Sequence, residues 1–155
     1  MSVEAFLDSN VLLYTFDNTS PSKRDIARRL VEDALREGSA GLSYQVAQEV
    51  LNVLVRKLEP PLSVGDAMRF LEVTLEPLWQ VQPSAELFRS ALGVRARYQF
   101  GFYDSLVVAS ALSAGCSRLL TEDLQHGQRI DGLTIENPFL ERRAEDGPTK
   151  RSQKR

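Results

Sequence analysis

The sequence predicts an α/β domain: a parallel sheet of about five strands flanked by helices. Two observations carry this expectation. Short apolar runs alternate with segments of helical period, and cap or breaker residues mark nearly every change between them. The length of 155 residues fits one domain with a core of its own.

The elements follow in order. Val3-Glu4-Ala5-Phe6-Leu7 reads as a buried strand ending in Asp8-Ser9-Asn10. Ser20 and Pro21 form a helix start, Ile26, Ala27, Leu30, Val31 and Ala34 share one apolar face, and Gly38 ends the helix. Ala40-Gly41-Leu42 is a short strand, and Ser43 caps a helix that runs to about Leu58, before Pro60-Pro61. Ser63 and Asp66 open a helix expected to end before Pro77, and Leu78 to Gln82 alternates as a strand. Ser84 caps a helix to about Tyr98, and a loop from Gln99 to Tyr103 leads to a small-residue helix, Asp104 to Ala114. Ser117 to Thr121 and Leu133 to Ile135 complete the strands.

Composition narrows the class. Apolar residues make up 43% and charged residues 26%, values ordinary for a soluble globular chain. No run approaches the roughly 20 apolar residues that cross a bilayer. The N-terminal stretch moves straight into a strand with no signal-peptide pattern, so a cytoplasmic protein with no membrane partner is expected. The single cysteine, Cys116, excludes an internal disulfide framework and reads as a small core residue. Net charge is −2, but residues 1–140 carry 13 Lys+Arg against 18 Asp+Glu, whereas residues 141–155 carry 6 against 3. Residues 1–140 therefore read as one acidic domain and 141–155 as a basic, disordered tail, either a solubilising end or a phosphate-contacting one.

Chemistry points to four carboxylates. In a parallel sheet, ligands gather beyond the carboxyl ends of the strands. Asp8 follows the first strand, and Asp123 follows the strand ending at Thr121. Asp104 opens a helix joined to that strand by Gly115-Cys116 alone, so its start returns to the same edge. Glu49 sits about six residues into its helix and has further to reach, roughly 9 Å at 1.5 Å per residue. Taken singly, each acid has a plain structural role: a turn or cap residue, a helix-start charge, a solvated face. As a set they repel one another and raise one another's pKa unless a divalent cation relieves them. Hard oxygen donors without a His or Cys pair select Mg²⁺ or Mn²⁺ over zinc. The lone His126 reads as a loop residue, and Glu122 as solvated or supporting.

These residues resemble a known family. Phe6-Leu7-Asp8-Ser9-Asn10-Val11-Leu12-Leu13-Tyr14, Gln48-Glu49-Val50, Tyr103-Asp104-Ser105-Leu106 and Leu120-Thr121-Glu122-Asp123-Leu124 are similar to PIN domains. Gly127 through Ile135 and Asn137-Pro138-Phe139 look like the end of bacterial PIN proteins of the VapC toxin type. The resemblance covers about residues 3–140. It implies a PIN-like α/β/α sandwich that hydrolyses RNA with a divalent metal held by Asp8, Glu49, Asp104 and Asp123. Asn10 and Thr121 would orient those acids. It further implies a homodimer and an antitoxin protein whose tail enters the acidic site. Arg95 and Arg97, beside Tyr98, Phe100, Phe102 and Tyr103, form the most suggestive substrate-binding patch.

Two other readings compete. Haloacid-dehalogenase-like phosphatases and receiver domains also place an aspartate after the first strand. The phosphatase needs a second aspartate where Asn10 stands, and the receiver needs an acidic pair and a late lysine. A non-catalytic PIN scaffold would tolerate loss of the acids, yet all four are present.

Overall fold

Ala5-Phe6-Leu7 is apolar at every position, and a strand apolar on both faces belongs in the interior of a sheet. The computed structural model, which describes residues 3–140, places this segment, β1 (Ala5–Leu7), between two parallel neighbours. The six strands run in the order β3-β2-β1-β4-β6-β5, with β2 (Ala40–Ser43), β3 (Trp79–Val81), β4 (Arg118–Leu120), β5 (Arg129–Ile130) and β6 (Leu133–Glu136). All pairings are parallel except β5 with β6. The expected α/β fold with a mostly parallel sheet is therefore present, with one strand more than the five anticipated. The addition is a two-residue edge strand, turned back at Asp131-Gly132, where φ values of 49° and 89° give the doubly left-handed turn that Asp-Gly favours.

The helices depart from expectation in four places. A short helix, α1 (Ser9–Tyr14), follows β1 at once, because Asp8 in extended geometry accepts the Ser9 amide and caps it. Helix α2 (Pro21–Glu37) ends at Gly38 as expected. Helix α3 (Tyr44–Asn52) passes into a π-helical turn, Val53–Lys57, rather than running evenly to Leu58. Helix α4 (Val64–Phe70) continues past the expected stop at Pro77, through a π-helical turn, Leu71–Leu75, and the short α5 (Glu76–Leu78). Pro77 falls in the first turn of α5, directly after the π-helical turn. Helix α6 (Ala85–Tyr98) is capped by Ser84, as expected. Helix α7 (Phe102–Ser113) starts two residues before Asp104, so that Asp104 lies within its first turn.

The core is one cluster between sheet and helices, including Phe6, Leu7, Leu42, Leu54, Leu75, Leu119 and Ile135. Helix α7 is buried along most of its length, which is why its residues are small. Gly41 sits where β2 and β3 approach: a Cβ there would lie 2.4 Å from Gln80 Cγ and 3.2 Å from the Leu78 carbonyl. Cys116 is buried, and burial pushes its thiol up to about 11, so it packs as a core residue. Strand order reverses between β1 and β4, which are adjacent in the sheet but distant in the chain. That reversal opens a crevice at their carboxyl ends.

Candidate active site

Asp8 and Thr121 sit at this switch point, each just past the end of its strand. The Asp8 amide donates to Leu120 O at 3.1 Å and the Thr121 amide to Glu136 O at 3.0 Å, so both backbones are fixed by the sheet. A side-chain network ties them together. Asp8 Oδ1 accepts from the Ser9 amide and Asp8 Oδ2 from the Thr121 hydroxyl, both at 2.8 Å. Thr121 Oγ1 in turn accepts from Asn10 Nδ2 at 3.2 Å and from the Asp123 amide at 3.1 Å. Asn10 Nδ2 also donates to Asp123 Oδ2 at 3.2 Å, while Asn10 Oδ1 accepts from the Glu122 amide at 3.3 Å. Asn10 and Thr121 therefore orient two of the acids.

All four acids line one cleft of about 310 Å³, together with Ser9, Leu13, Gln45, Asn52, Val53, Lys57, Tyr103 and Val107. Glu49 reaches it from α3, where Gln45 Nε2, one turn earlier, donates to Glu49 Oε2 at 3.2 Å and to the Tyr103 carbonyl at 3.4 Å. Gln45 thereby ties α3 to the start of α7, bringing Glu49 and Asp104 to opposite sides of one opening. The sequence reading missed Gln45, a buried glutamine at i−4 from Glu49.

Electrostatics fit that placement. Burial pushes the Asp8 carboxyl up to about 6, against the lowering effect of its bonds to Thr121 and Ser9; Asp123 and Glu49 add smaller upward pushes. Asp104 is also raised, chiefly by burial and then by the charge of Asp123. The sequence argument rested on mutual repulsion, but desolvation is the larger cause. None of the four acids has an ion-pair partner among the described residues, and Lys57 on the cleft wall pairs with none of them.

The donor set, carboxylate oxygens throughout, suits a hard divalent cation. No group of three or more His, Cys, Asp or Glu side chains among the described residues stands close enough to hold an ion as the chain is arranged. Asp123 is exposed and Glu49 half-buried, so these two have the freedom to close on one, whereas Asp8 is fixed.

The remaining expectations separate clearly. Glu122 turns away from the cleft into an ion pair with Lys23 at 2.6 Å. His126 lies exposed in a loop and accepts the Asn137 amide. Neither Arg95 nor Arg97 lines the acidic cleft. Arg95 donates to the Phe100 carbonyl, and Arg97 pairs with Asp131 at 3.0 Å and stacks on Tyr98. Tyr98 and Phe100 stack on one another, 5.8 Å between centroids, while Tyr103 alone of that aromatic group walls the cleft. The basic extension, residues 141–155, lies outside the described residues.

Fold and site together define a class: a doubly wound α/β domain with an open, oxygen-lined cleft at its switch point. The chain belongs to the PIN domain family, whose model matches residues 5–131. No curated protein sequence matches it. Its fold is shared with solved structures that are distant in sequence. A toxin-antitoxin complex from Klebsiella pneumoniae is 19% identical, with a TM-score of 0.62 over 87% of this chain and 98% of that one. DNA-bound VapBC from Salmonella typhimurium is 20% identical, with a TM-score of 0.61 over 88% and 98%. VapC20 of Mycobacterium tuberculosis, a toxin that cleaves the sarcin-ricin loop, is 19% identical, with a TM-score of 0.58 over 77% and 92%. The resemblance to PIN domains of the VapC type thus holds at the level of fold. Among the described residues no helix is long and apolar enough to cross a membrane.

Proposed function

We propose that this protein is a divalent-metal-dependent endoribonuclease, the toxin of a VapBC-type pair, acting in the cytoplasm. One observation carries the reading: four carboxylates from four separate segments line a single cleft at the sheet's switch point, and no cation among the described residues pairs with any of them. Such an arrangement costs stability unless a charge enters the cleft.

Asp8, Glu49, Asp104 and Asp123 would hold Mg²⁺ or Mn²⁺, which when bound supplies charge neutralisation at the phosphate and a more acidic water. The chain's own residues do the rest. Ser9 and Thr121 hold Asp8 in one rotamer, ready to bind without reorganising. Asn10 steadies Asp123, the exposed acid best placed to accept a proton from an attacking water. Gln45 sets the position of Glu49. Lys57, on the wall and without an ion pair among the described residues, is a cation available to a backbone phosphate.

A homodimer and an antitoxin complete this reading. An apolar groove of about 450 Å³ adjoins the acids through Leu13, Val53 and Lys57 and is lined further by Tyr14, Phe16 and Leu58. It suits an antitoxin segment that places a basic side chain among the acids. The decisive experiment incubates the purified chain with single-stranded and structured RNA. Cleavage should require Mg²⁺ or Mn²⁺ and stop with EDTA; an intact RNA pool under all metals would sink the proposal. The size of the purified protein in solution reports the dimer separately.

A further inference from the structure

A second cavity abuts the acidic cleft and shares two of its lining residues, Gln45 and Tyr103. It measures about 250 Å³ and is mostly apolar, with Tyr44, Leu87, Phe88, Phe102 and Leu106 in its walls. That volume falls below the roughly 300–1,000 Å³ of clefts that take drug-sized ligands, so it suits one flat ring system and excludes a helix. Tyr103 stands at the junction, 67% exposed, its ring packed edge-on against Phe102 at 5.5 Å. An exposed tyrosine one residue from Asp104 offers a free π-face beside the position a phosphate would take.

Polar groups around the slot are unspent. Gln45 is only 9% exposed, yet its Oε1 has no donor among the described residues, while its Nε2 is held by Glu49 and the Tyr103 carbonyl. Both partners of Nε2 are acceptors, so the amide cannot be reversed to relieve the oxygen. The oxygen is closed to water, and only a donor entering the slot and shifting the side chains over it would satisfy it. Gln48 and Gln82 also line the slot and make no side-chain hydrogen bond among the described residues. Carboxamides present a donor and an acceptor side by side, the pattern that reads the edge of an unpaired base.

We propose that this slot binds the unpaired nucleobase adjacent to the phosphate cleaved at the acids, with Tyr103 stacking on the ring and Gln48 and Gln82 reading its edge. The proposal rests on the ribonuclease reading and deepens it by making the substrate single-stranded at the cut and giving it a base preference there.

The test uses the full chain and a randomised single-stranded RNA with Mg²⁺ or Mn²⁺. Tyr103→Ala should raise KM about tenfold or more while leaving kcat at saturation near that of the parent, the scale of one lost base stack. Tyr103→Phe should keep the parent KM, because the ring and not the hydroxyl does the stacking. The double change Gln48→Ala with Gln82→Ala should flatten the base preference beside the cut. In EDTA, 2-aminopurine placed at that position should change fluorescence on the parent and not on Tyr103→Ala. If the parent cuts RNA but Tyr103→Ala keeps its KM and preference, the slot holds something else, an apolar peptide included, and this proposal falls alone. If the parent cuts no RNA, the ribonuclease reading falls first and takes the slot with it.

Discussion

Glu122 and Asp123 are consecutive, yet they belong to opposite electrostatic worlds. Glu122 sits between Lys23, at 2.6 Å, and the Tyr14 hydroxyl, at 2.7 Å, with its charge compensated locally. Asp123 turns the other way, into a cleft whose carboxylates have no ion-pair partner among the described residues. The same contrast runs through the molecule. Glu4 and Glu136 share Arg118, Asp131 takes Arg97, and Asp33 takes Arg36. Those acids are paired; the four that line the cleft have no ion-pair partner among the described residues, and they converge. Uncompensated charge held in a partly buried cleft destabilises the protein, and on the proposed function an entering cation offsets that cost.

The sharpest way to break this comparison is to neutralise acids from each region. Asp8→Asn and Asp104→Asn should each lower RNA cleavage at least about a hundredfold, the scale expected when a charge-stabilising group leaves an active site. Glu122→Gln should leave it within about twofold. Single-turnover cleavage of one RNA at saturating metal compares all three. Equal losses at Glu122 and Asp8 would erase the distinction between the two regions.

The network that holds the cleft open comes next. Thr121→Val keeps the shape but removes the hydroxyl that donates to Asp8 and accepts from Asn10 and the Asp123 amide. Burying those partners without their bonds costs about 1–3 kcal/mol, read as a lower urea midpoint. Cleavage should fall about tenfold, because Asp8 and Asp123 lose their fixed geometry. Unchanged stability would show that water replaces the hydroxyl.

Much of this contrast was legible before the structure, because strand ends and cap residues are local signals. Asp8 and Asp123 follow apolar runs, and in a parallel sheet that is enough to place them at one edge. Four things were hidden, each for a physical reason. β5 is two residues long, too short for alternation to register, although its Asp131-Gly132 turn was a readable hairpin signal. The π-helical turns leave no mark in an apolar periodicity of 3.6. The partners of Arg95 and Arg97 lie across loops, so their bonds to the Phe100 carbonyl and to Asp131 could not be read from the basic-aromatic string. Gln45 was the costliest omission: a buried glutamine reads as a stray polar residue until Glu49 and Tyr103 are seen on either side of it.

A smaller effect separates stability from activity at one residue. In metal-free protein the Asp8 carboxyl is raised to about 6 from an unfolded value near 3.8, so between these the native state binds more protons than the unfolded one. The contribution of Asp8 to stability is then greatest at and below about pH 4 and declines as pH rises to about 6. Asp8→Asn should flatten that decline and stabilise the protein at pH 7 in EDTA by about 1–2 kcal/mol, less than the full linkage because the amide cannot receive the Thr121 hydroxyl as well. Urea unfolding at pH 4, 5, 6 and 7 gives the slope. A mutant that is dead yet more stable is the signature of a charge kept for function.

The smallest expected effect lies on the paired side and completes the argument. Lys23 and Glu122 retain 29% and 26% of their side-chain exposure, so solvent screens much of their attraction. Partly exposed pairs contribute about 0.5–1 kcal/mol, and Glu122→Gln should cost no more than that, with the loss shrinking as salt rises. Lys23 is held above the ordinary lysine range, first by its hydrogen bond to Glu122 and then by Tyr14, so its stabilising effect persists below that range and fades as pH climbs through it. The substitution retains an oxygen for the Tyr14 hydroxyl, so any effect on cleavage would have to pass through the Glu122 amide, which donates to Asn10 and from there reaches Asp123. A stability loss above about 2 kcal/mol, or cleavage falling along with it, would mean that the pair braces the Asn10 contact and that the two carboxylates are parts of one device.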